Sequence, residues 1–200
     1  MDERDLLYHG LAIKRHAPPQ AVAELVGLPE QTVAGLLTQA VATGRAIVAQ
    51  DAFALTPLAR VALEARYDRH FGGLRVNAEF DAAYQTFERI NVTLKQVITD
   101  WQTMDVGGQK VGNDHSDADY DARVIDRLGA VHDQVEPVLA TLARSLPRLA
   151  VYNRKLLRAL EAAEDGDHAW VSDIRCESYH TVWFELHEDL LRIMGQERSE

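Results

Sequence analysis

The sequence predicts a mainly α-helical protein in two parts, a small N-terminal domain of helices with one β-hairpin and a helical bundle domain. Apolar residues recur at spacings of three and four along most of the 200 residues, which indicates amphipathic helices. Between residues 46 and 55, two short apolar runs flank a polar turn, which indicates a hairpin. The glycine pair after Phe71 breaks the pattern. We therefore expect a first domain over residues 1–70, a linker over 71–76 and a helical domain over 77–200.

Four helices and the hairpin make up the first domain. One helix is predicted over residues 5–16 and ends before Pro18, since proline cannot continue a helix. A second covers residues 20–26 and ends at Gly27, a common C-terminal signal. A third begins at Pro29 and carries one apolar stripe, which comprises Val33, Leu36, Leu37, Ala40 and Val41. After the hairpin, Thr56-Pro57 predicts the start of a fourth helix, whose apolar face comprises Leu58, Val61, Ala62 and Ala65.

These elements, with a fourth helix that follows Leu55-Thr56-Pro57, resemble the winged helix-turn-helix domain of MarR-type regulators. The resemblance covers about residues 5–67. It implies a winged-helix fold whose third helix reads the major groove of DNA.

The third helix is therefore the candidate DNA-reading element. Side chains that can bond base edges there are Gln31, Thr32, Thr38 and Gln39. The basic residues that could contact phosphates are Lys14, Arg15, Arg45 and Arg60. The helix itself carries no lysine or arginine, and the hairpin tip carries Gln50 and Asp51. The alternative that this domain docks against protein, or only packs, stays open.

Charge is distributed unevenly along the chain. The formal net charge is −10, which disfavours nucleic-acid binding because phosphate attraction supplies most non-specific affinity. Residues 1–70 contain eight acidic and seven basic residues, so the acidic excess lies mainly in the second part. The single cysteine, Cys176, suits a reducing compartment. Since we find neither a signal peptide nor an apolar run of the ~20 residues that span a bilayer, we expect a cytoplasmic protein.

The second part predicts several long helices. The first begins near Asn77, and its apolar stripe is interrupted by Asn91, which either fixes the register of a helix pair or lies at its edge. The stripe comprises Phe80, Tyr84, Phe87, Leu94, Ile98 and Trp101. Residues 103–118, rich in glycine and aspartate, are expected to form a loop. The next helix breaks or kinks at Pro137 and ends at Pro147, and two more helices cover residues 149–163 and 177–194.

Polar and aromatic side chains of this second part form a candidate pocket for a small ligand. On the last helix, two histidines and an acid share a face with a phenylalanine, and the 103–118 loop adds further acids and a histidine. An apolar pocket with a few polar groups is typical of ligand sites. The predicted set is Trp101, Asn113, Asp114, His115, Asp117, Tyr179, His180, Phe184, His187 and Glu188. The alternative is a structural role, in which these residues join the last helix to the loop.

The sequence assigns no catalytic residue, no cofactor and no metal. His180 and His187 are seven residues apart, about 10 Å along a helix, which is too far for one metal ion without a bend. Nucleophile-elbow, phosphate-loop, dinucleotide-binding and CxxC motifs do not occur. A histidine–carboxylate pair such as His187 with Asp114 could still perform acid–base chemistry.

Three stretches of the second part stand out: TDWQ at residues 99–102, NDHSDADYD at 113–121 and SYHTVWFELHEDL at 178–190. They resemble a helical module associated with actinobacterial pyruvate phosphate dikinase-like, phosphoenolpyruvate-utilising proteins. The resemblance implies a partner or substrate-recognition subunit for such an enzyme. It also implies a phosphate-bearing ligand with His115, His180 and His187 as donors. Dikinase chemistry needs ATP-grasp, phosphohistidine and barrel domains, which this sequence does not contain.

The preferred hypothesis is a ligand-responsive transcriptional regulator that binds DNA as a homodimer, since a dimer doubles the phosphate contacts. One alternative is a non-catalytic accessory subunit of a phosphoenolpyruvate-utilising phosphotransferase. Another is a small enzyme that uses the His/Asp residues of the second part. The preference rests on how often free-standing winged-helix proteins of this size are regulators, because a fold by itself does not define a function.

Overall fold

A computed structural model describes residues 1–197, and this part of the protein is mainly α-helical, as predicted. The helices are α1 Glu3–Lys14, α2 Pro19–Val26, α3 Glu30–Ala42, α4 Pro57–Glu64, α5 Tyr67–Arg75, α6 Ala78–Gln102, α7 Ala118–Ser145, α8 Ala150–Glu164, α9 Ala169–Ser172 and α10 Tyr179–Met194. A 3-10 turn covers Pro147–Leu149, and the strands are β1 Ala46–Ala49, β2 Ala52–Leu55, β3 Thr103–Val106 and β4 Gln109–Gly112. None of these helices combines the length and the apolar character needed to cross a lipid bilayer.

The chain folds into two compact units. The first comprises Met1–Asn77 together with the described residues from His187 onward, and the second comprises Ala78–Leu186. The sequence interpretation placed everything after residue 76 in one domain, because a continuous helix such as α10 shows no boundary in its periodicity. Residues 71–75 of the expected linker are helical instead, since α5 runs through both glycines and buries Tyr67 and Phe71.

Local capping defines the helix ends of the first unit. The Asp2 carboxylate accepts the backbone N–H of Asp5 at 2.8 Å and so starts α1. α2 ends at Gly27 in the left-handed conformation, with φ of 71°, which glycine adopts without strain. Thr56 starts α4 by accepting the N–H of Ala59 at 3.4 Å. The predicted cap signals at Gly27 and Thr56 therefore act as expected.

The hairpin of the first unit is tight. β1 and β2 pair antiparallel from Ala46↔Leu55 to Ala49↔Ala52. The two residues between them, Gln50 and Asp51, have φ values of 51° and 63°, as a two-residue hairpin turn requires. β1 contacts α3 and β2 contacts α1, so the hairpin is held against the helices.

Packing of the first unit departs from the predicted apolar faces. Its fully buried side chains include Leu7, Leu11, Val22, Leu25, Val33, Leu37 and Leu63. α1 approaches α2 closely at Gly10, where a Cβ atom would lie 2.6 Å from a Val26 methyl group. The expected burial of Val41, Leu58 and Val61 was wrong, since these side chains are 36%, 67% and 64% exposed. α4 buries Ala59 and Leu63 instead, because these two residues at i and i+4 lie on the face that packs against α1.

An aromatic stack forms the centre of the second unit, in which α6 packs along α7 and α7 along α8. The Trp183 ring stacks with Phe87, with centroids 4.8 Å apart, and with Tyr179 at 6.1 Å. Trp183 Nε1 donates to Asn91 Oδ1 at 3.0 Å. Asn91 is 5% exposed, so it is a buried residue that links α6 to α10 rather than an edge position.

A second hairpin lies in the segment expected to be a loop. β3 pairs antiparallel with β4 from Thr103↔Gly112 to Val106↔Gln109. Gly107 and Gly108 form the turn, with φ values of 64° and 85°. The prediction of a loop throughout residues 103–118 was wrong, because a Gly-Gly pair between two short runs is itself a hairpin signal. α7 also continues through Pro137 to Ser145, so the helix does not break there.

Candidate functional site

The second unit brings four polar and aromatic residues together around one buried carboxylate. Trp101 lies in the last turn of α6, and Asn113 and His115 follow β4. Asp121 lies in the first turn of α7, and His168 directly precedes α9. We call these five residues the His115–Asp121 cluster. Three of them, Trp101, Asn113 and His115, belong to the ligand-binding set predicted from the sequence.

The Asp121 carboxylate is the centre of the cluster, and its side chain is 1% exposed. Its Oδ2 atom lies 2.9 Å from His115 Nδ1, and its Oδ1 atom accepts from Asn113 Nδ2 at 2.8 Å. His168 Nδ1 lies 4.0 Å from the same Oδ2 atom. A buried carboxylate needs such donors, because removing its charge from water is costly.

These contacts determine which nitrogen of His115 carries the proton. Asn113 Nδ2 lies 3.0 Å from the Trp101 carbonyl oxygen and 3.2 Å from His115 Nδ1. Its two hydrogens are accounted for by the Trp101 carbonyl and Asp121 Oδ1. The His115 Nδ1 atom therefore donates to the carboxylate, which is the stronger acceptor. In the neutral ring, the Nε2 atom is then unprotonated and carries a lone pair.

Packing and backbone conformation hold the His115 ring in place. Its centroid lies 4.5 Å from that of Trp101, and the Trp101 ring meets His168 edge-on at 5.4 Å. The His115 backbone has φ of 59°, an uncommon conformation for a residue other than glycine. Asn113 Oδ1 accepts the His115 N–H at 3.0 Å, which stabilises this turn. Backbone strain of this kind often accompanies functional residues.

Both imidazoles of the cluster reach solvent, since the side chains of His115 and His168 are 37% and 44% exposed. An imidazole oriented by a carboxylate can accept a proton, accept a hydrogen bond from a ligand, or bind a metal with the carboxylate as outer partner. Within residues 1–197, no three His, Cys, Asp or Glu side chains are arranged to hold a metal ion. Because His115 Nδ1 donates to Asp121, its Nε2 atom can accept a hydrogen bond or a proton from a small ligand.

The proton position on His115 is directly testable. We expect long-range ¹H–¹⁵N correlation spectra of the neutral ring to show the Nδ1–H form of His115, because Nδ1 donates to Asp121. Asp121→Ala should shift this ring towards a mixture of tautomers, because nothing then selects Nδ1–H. Asp126→Ala, at an exposed position of α7, is the matched control and should leave the spectrum unchanged. A wild-type ring protonated at Nε2 would contradict the geometry.

Two further predicted ligand residues, Asp114 and Asp117, accept hydrogen bonds from nearby backbone N–H groups instead. Asp114 Oδ1 accepts the N–H of Ser116 at 3.0 Å, and hydrogen bonds from Ser116 hold the pKa of the Asp114 carboxyl below its usual value. Asp117 caps α7 by accepting the N–H of Tyr120 at 2.9 Å. Both side chains therefore shape the turn that presents His115.

The predicted ligand residues of α10 lie outside the His115–Asp121 cluster, in two other places. Tyr179 belongs to the aromatic stack, and its hydroxyl lies 3.3 Å from His132 Nδ1. Burial raises the pKa of Tyr179 and lowers the pKa of both His132 and His180, so these groups stay neutral at physiological pH. Phe184 is half-buried on the same helix. The Tyr179 contacts are those of a core residue.

His187 and Glu188 belong to the first unit, whereas Asp114 belongs to the second. His187 is buried, and Glu188 pairs with Arg192 one helical turn later at 2.8 Å. The predicted ligand set is therefore distributed over the cluster, the aromatic core and the first unit.

The predicted DNA-binding residues all lie in the first unit. Gln31, Thr38 and Gln39 are exposed on α3, and Thr32 is half-buried. The Thr38 hydroxyl donates to the Ala34 carbonyl at 2.9 Å. The basic members of the set lie at the end of α1 and just after α3, and they are Lys14, Arg15 and Arg45.

A cavity of about 300 Å³ adjoins the C-terminal half of α3; we call it the α3 cavity. Its apolar lining comes from Tyr8, Leu36, Ala59, Ala62 and Leu63. Its polar lining comes from Gln39, Thr43, Arg4, Arg45 and Arg66. Sequence reasoning missed Arg4 and Arg66, because only the fold places these distant residues beside α3.

Sequence reasoning also missed a buried polar pair of the first unit, His9 and Asp189. His9 Nε2 lies 2.8 Å from Asp189 Oδ1, and His9 Nδ1 lies 3.0 Å from the Tyr67 hydroxyl. The side chains of His9 and Asp189 are 0% exposed. Burial raises the pKa of Tyr67 to about 12, so its hydroxyl stays protonated and can donate to His9. Since solvent does not reach this pair, we assign it a structural role.

Asp121 and His168 are the members of the cluster that sequence reasoning missed. Asp121 precedes Val124, Ile125 and Leu128 at spacings of three, four and seven, and all three are buried. A carboxylate on the apolar stripe of a helix is a signal of a buried, paired charge. His168 had no comparable signal, because it lies in a polar segment between two helices.

Comparison with known proteins reveals no relative of this chain. No family model matches the chain, and no curated protein or solved structure matches it significantly.

Proposed function

We propose that the protein is a ligand-responsive transcriptional regulator. The first unit, as a MarR-like winged helix, would bind DNA, and the His115–Asp121 cluster would bind a small effector. The observation that carries the proposal is that Arg4, Arg45 and Arg66 line a cavity together with Gln39 of α3. A helix that carries no basic residue thereby gains three guanidinium groups on its flank, and guanidinium groups are the main phosphate contacts of DNA-binding proteins.

The order of the elements and the exposed side chains of α3 support this proposal. Helices α1 to α3 precede the β1–β2 hairpin, and α4 follows it, which is the order expected for a winged helix. The amides of Gln31 and Gln39 are exposed and can bond the edges of adenine bases. A homodimer would double the phosphate contacts and offset part of the net charge of −10.

Binding to DNA from the upstream region of its own gene, measured by fluorescence anisotropy across a salt series, tests the proposal. We expect preference over random DNA and an affinity that falls steeply with salt, by about a thousandfold between 50 and 200 mM for about six phosphate contacts. Gln39→Ala should reduce the preference, whereas Arg45→Gln should weaken binding to both DNAs equally.

Two substitutions in the second unit serve as matched controls. Gln102→Ala and Arg89→Gln change exposed side chains of the same types on α6 and should leave DNA binding unchanged. Equal affinity for both DNAs at low salt, with no effect of Gln39→Ala, would refute the regulator proposal.

A second candidate function, an accessory subunit of a phosphoenolpyruvate-utilising phosphotransferase, is favoured by a different observation. Ile47 and Val48 on β1, and Leu58 and Val61 on α4, are each more than half exposed. Exposed apolar groups are more typical of protein interfaces than of contacts with phosphates. This function would replace the first if DNA binding fails and the protein forms a complex with such an enzyme that Ile47→Ser and Leu58→Ser disrupt.

A further inference from the structure

We propose that an acidic surface of the second unit binds a lysine- or arginine-rich segment of a partner protein. The surface lies where α7 and α8 pack against each other, and we call it the α7–α8 acidic face. Its four carboxylates belong to exposed residues, which are Asp133 and Glu136 of α7 and Glu161 and Glu164 of α8. The face shares no residue with the His115–Asp121 cluster or with the first unit. The proposal is therefore independent of the proposed function.

The carboxylates of the face have no cationic partner. Within residues 1–197, none of the four makes an ion pair or a hydrogen bond. The two basic residues of α8 closest in sequence to the face are engaged elsewhere. Lys155 pairs with Glu177 at 2.6 Å, and the Arg158 guanidinium lies over the Trp170 ring at 5.1 Å. The mutual repulsion of the four carboxylates is left for a cation from outside to relieve.

A buried histidine borders the face and leaves its charge uncompensated. His132 is 4% exposed, its Nδ1 atom lies 3.3 Å from the Tyr179 hydroxyl, and its buried Nε2 atom has no partner among the described residues. Burial lowers the pKa of His132, whereas the four carboxylates lie close enough to raise it. Burial prevails, so the imidazole stays neutral at physiological pH and adds no positive charge to the face.

The spacing of the carboxylates selects a cation with several separated charges. In the part of the chain that the structure describes, no three His, Cys, Asp or Glu side chains are arranged to hold a metal ion. Each helix contributes two carboxylates at i and i+3, which places their Cβ atoms about 5–6 Å apart. The axes of packed helices are about 8–10 Å apart. Several lysine or arginine side chains along one segment can reach all four carboxylates, whereas one small cation cannot.

Proton uptake by His132 would oppose the partner. The charged groups that face this imidazole are the four carboxylates of α7 and α8, and α10 contributes the neutral Tyr179 hydroxyl. A protonated imidazole beside the face would repel a basic segment. Because burial lowers the pKa of His132 from its ordinary value of 6.5, this weakening should begin only below that pH. Binding of the partner is therefore expected to be strongest at neutral pH.

Fluorescence anisotropy on the full chain tests the face, with fluorescein-labelled hexalysine as the probe in about 20 mM salt, where screening is weak. The double variant Glu161→Gln with Glu164→Gln should bind about tenfold more weakly, since each exposed ion pair contributes up to about a factor of five. Glu30→Gln with Asp51→Asn is the matched control. It changes the net charge equally at exposed positions of the first unit and should bind as the wild type does.

A comparison of about pH 7.5 with about pH 5.5 tests the contribution of His132. The wild type should bind hexalysine at least about threefold more weakly at the lower pH, because an added charge near the face acts at short range. His132→Gln keeps every other titratable group and should lose most of this difference. Circular dichroism at both pH values checks that each variant is folded.

Equal losses in the two double variants would show that only net charge matters, and this result would overturn the proposal. Displacement of hexalysine by an equal concentration of spermidine would also overturn it, because the face would then suit a small polyamine. The same pH dependence in a folded His132→Gln variant would remove His132 from the face. The glutamine variants of α8 decide the proposal even where His132→Gln fails to fold.

Discussion

Replacing Asp189 with alanine is expected to lower the free energy of unfolding by about 1–3 kcal/mol, the cost of leaving a buried hydrogen-bonding group without its partner. Asp189 Oδ1 lies 2.8 Å from His9 Nε2, and neither side chain is exposed. In the variant, water cannot replace the lost acceptor, so the His9 ring nitrogen is left buried with an unmet hydrogen bond.

Urea unfolding followed by far-UV circular dichroism measures this effect, and hydrogen exchange of the α1 amides locates it, because α1 carries His9. Asp68→Ala is the matched control. The Asp68 side chain is 91% exposed in its pair with Arg75, and exposed pairs contribute only about 0–1 kcal/mol. The double variant His9→Leu with Asp189→Leu should recover part of the loss, since both buried polar groups are then removed. A loss for Asp189→Ala no larger than that of the control would show that the pair is not buried in solution.

Trp183→Ala is expected to destabilise the protein by about 3–5 kcal/mol, the usual cost of truncating a buried tryptophan. The Trp183 side chain is 2% exposed and stacks with Phe87 and Tyr179. The substitution also removes the indole N–H that Asn91 accepts at 3.0 Å. It therefore leaves both a cavity and an unsatisfied buried amide oxygen.

Circular dichroism is the suitable readout here, since the substitution changes the tryptophan fluorescence itself. Trp183→Phe keeps most of the stacked ring and loses the hydrogen bond, so it should cost about 1–3 kcal/mol. Trp170→Ala is the matched control, because Trp170 is only half-buried and lies beneath the Arg158 guanidinium at 5.1 Å. If Trp183→Ala costs no more than Trp170→Ala, the aromatic stack does not hold the second unit together.

These two predictions concern the same sequence stretch, residues 178–190. In the structure, its buried residues pack or pair internally: Trp183 contacts Asn91, and Asp189 contacts His9. Packing therefore explains much of this stretch. The other long stretch, residues 113–121, supplies Asn113, His115 and Asp121, whose side chains contact one another. The His115 imidazole is also partly exposed to solvent. Residues 113–121 are therefore a better candidate for ligand chemistry than residues 178–190.

The sequence by itself determined the local structure well. Helical periodicity predicted all the long helices, and Gly27 and Thr56 predicted helix ends that the structure has. Errors arose where two local signals competed, as at Gly107-Gly108, where glycine was interpreted as loop rather than as hairpin turn. Such features depend on residues close in the chain, whose propensities and hydrogen bonds act without the rest of the fold.

Only the tertiary structure decided which residues form sites. His168 joins Asp121 from 47 positions away, and Arg4 and Arg66 join Arg45 around the α3 cavity. The packing also leaves Leu58 and Val61 exposed. It places the second half of α10 in the first unit. Periodicity shows that a helix has an apolar face but not which element covers that face. Contacts between distant residues depend on how the helices pack, and that is decided by the whole core at once.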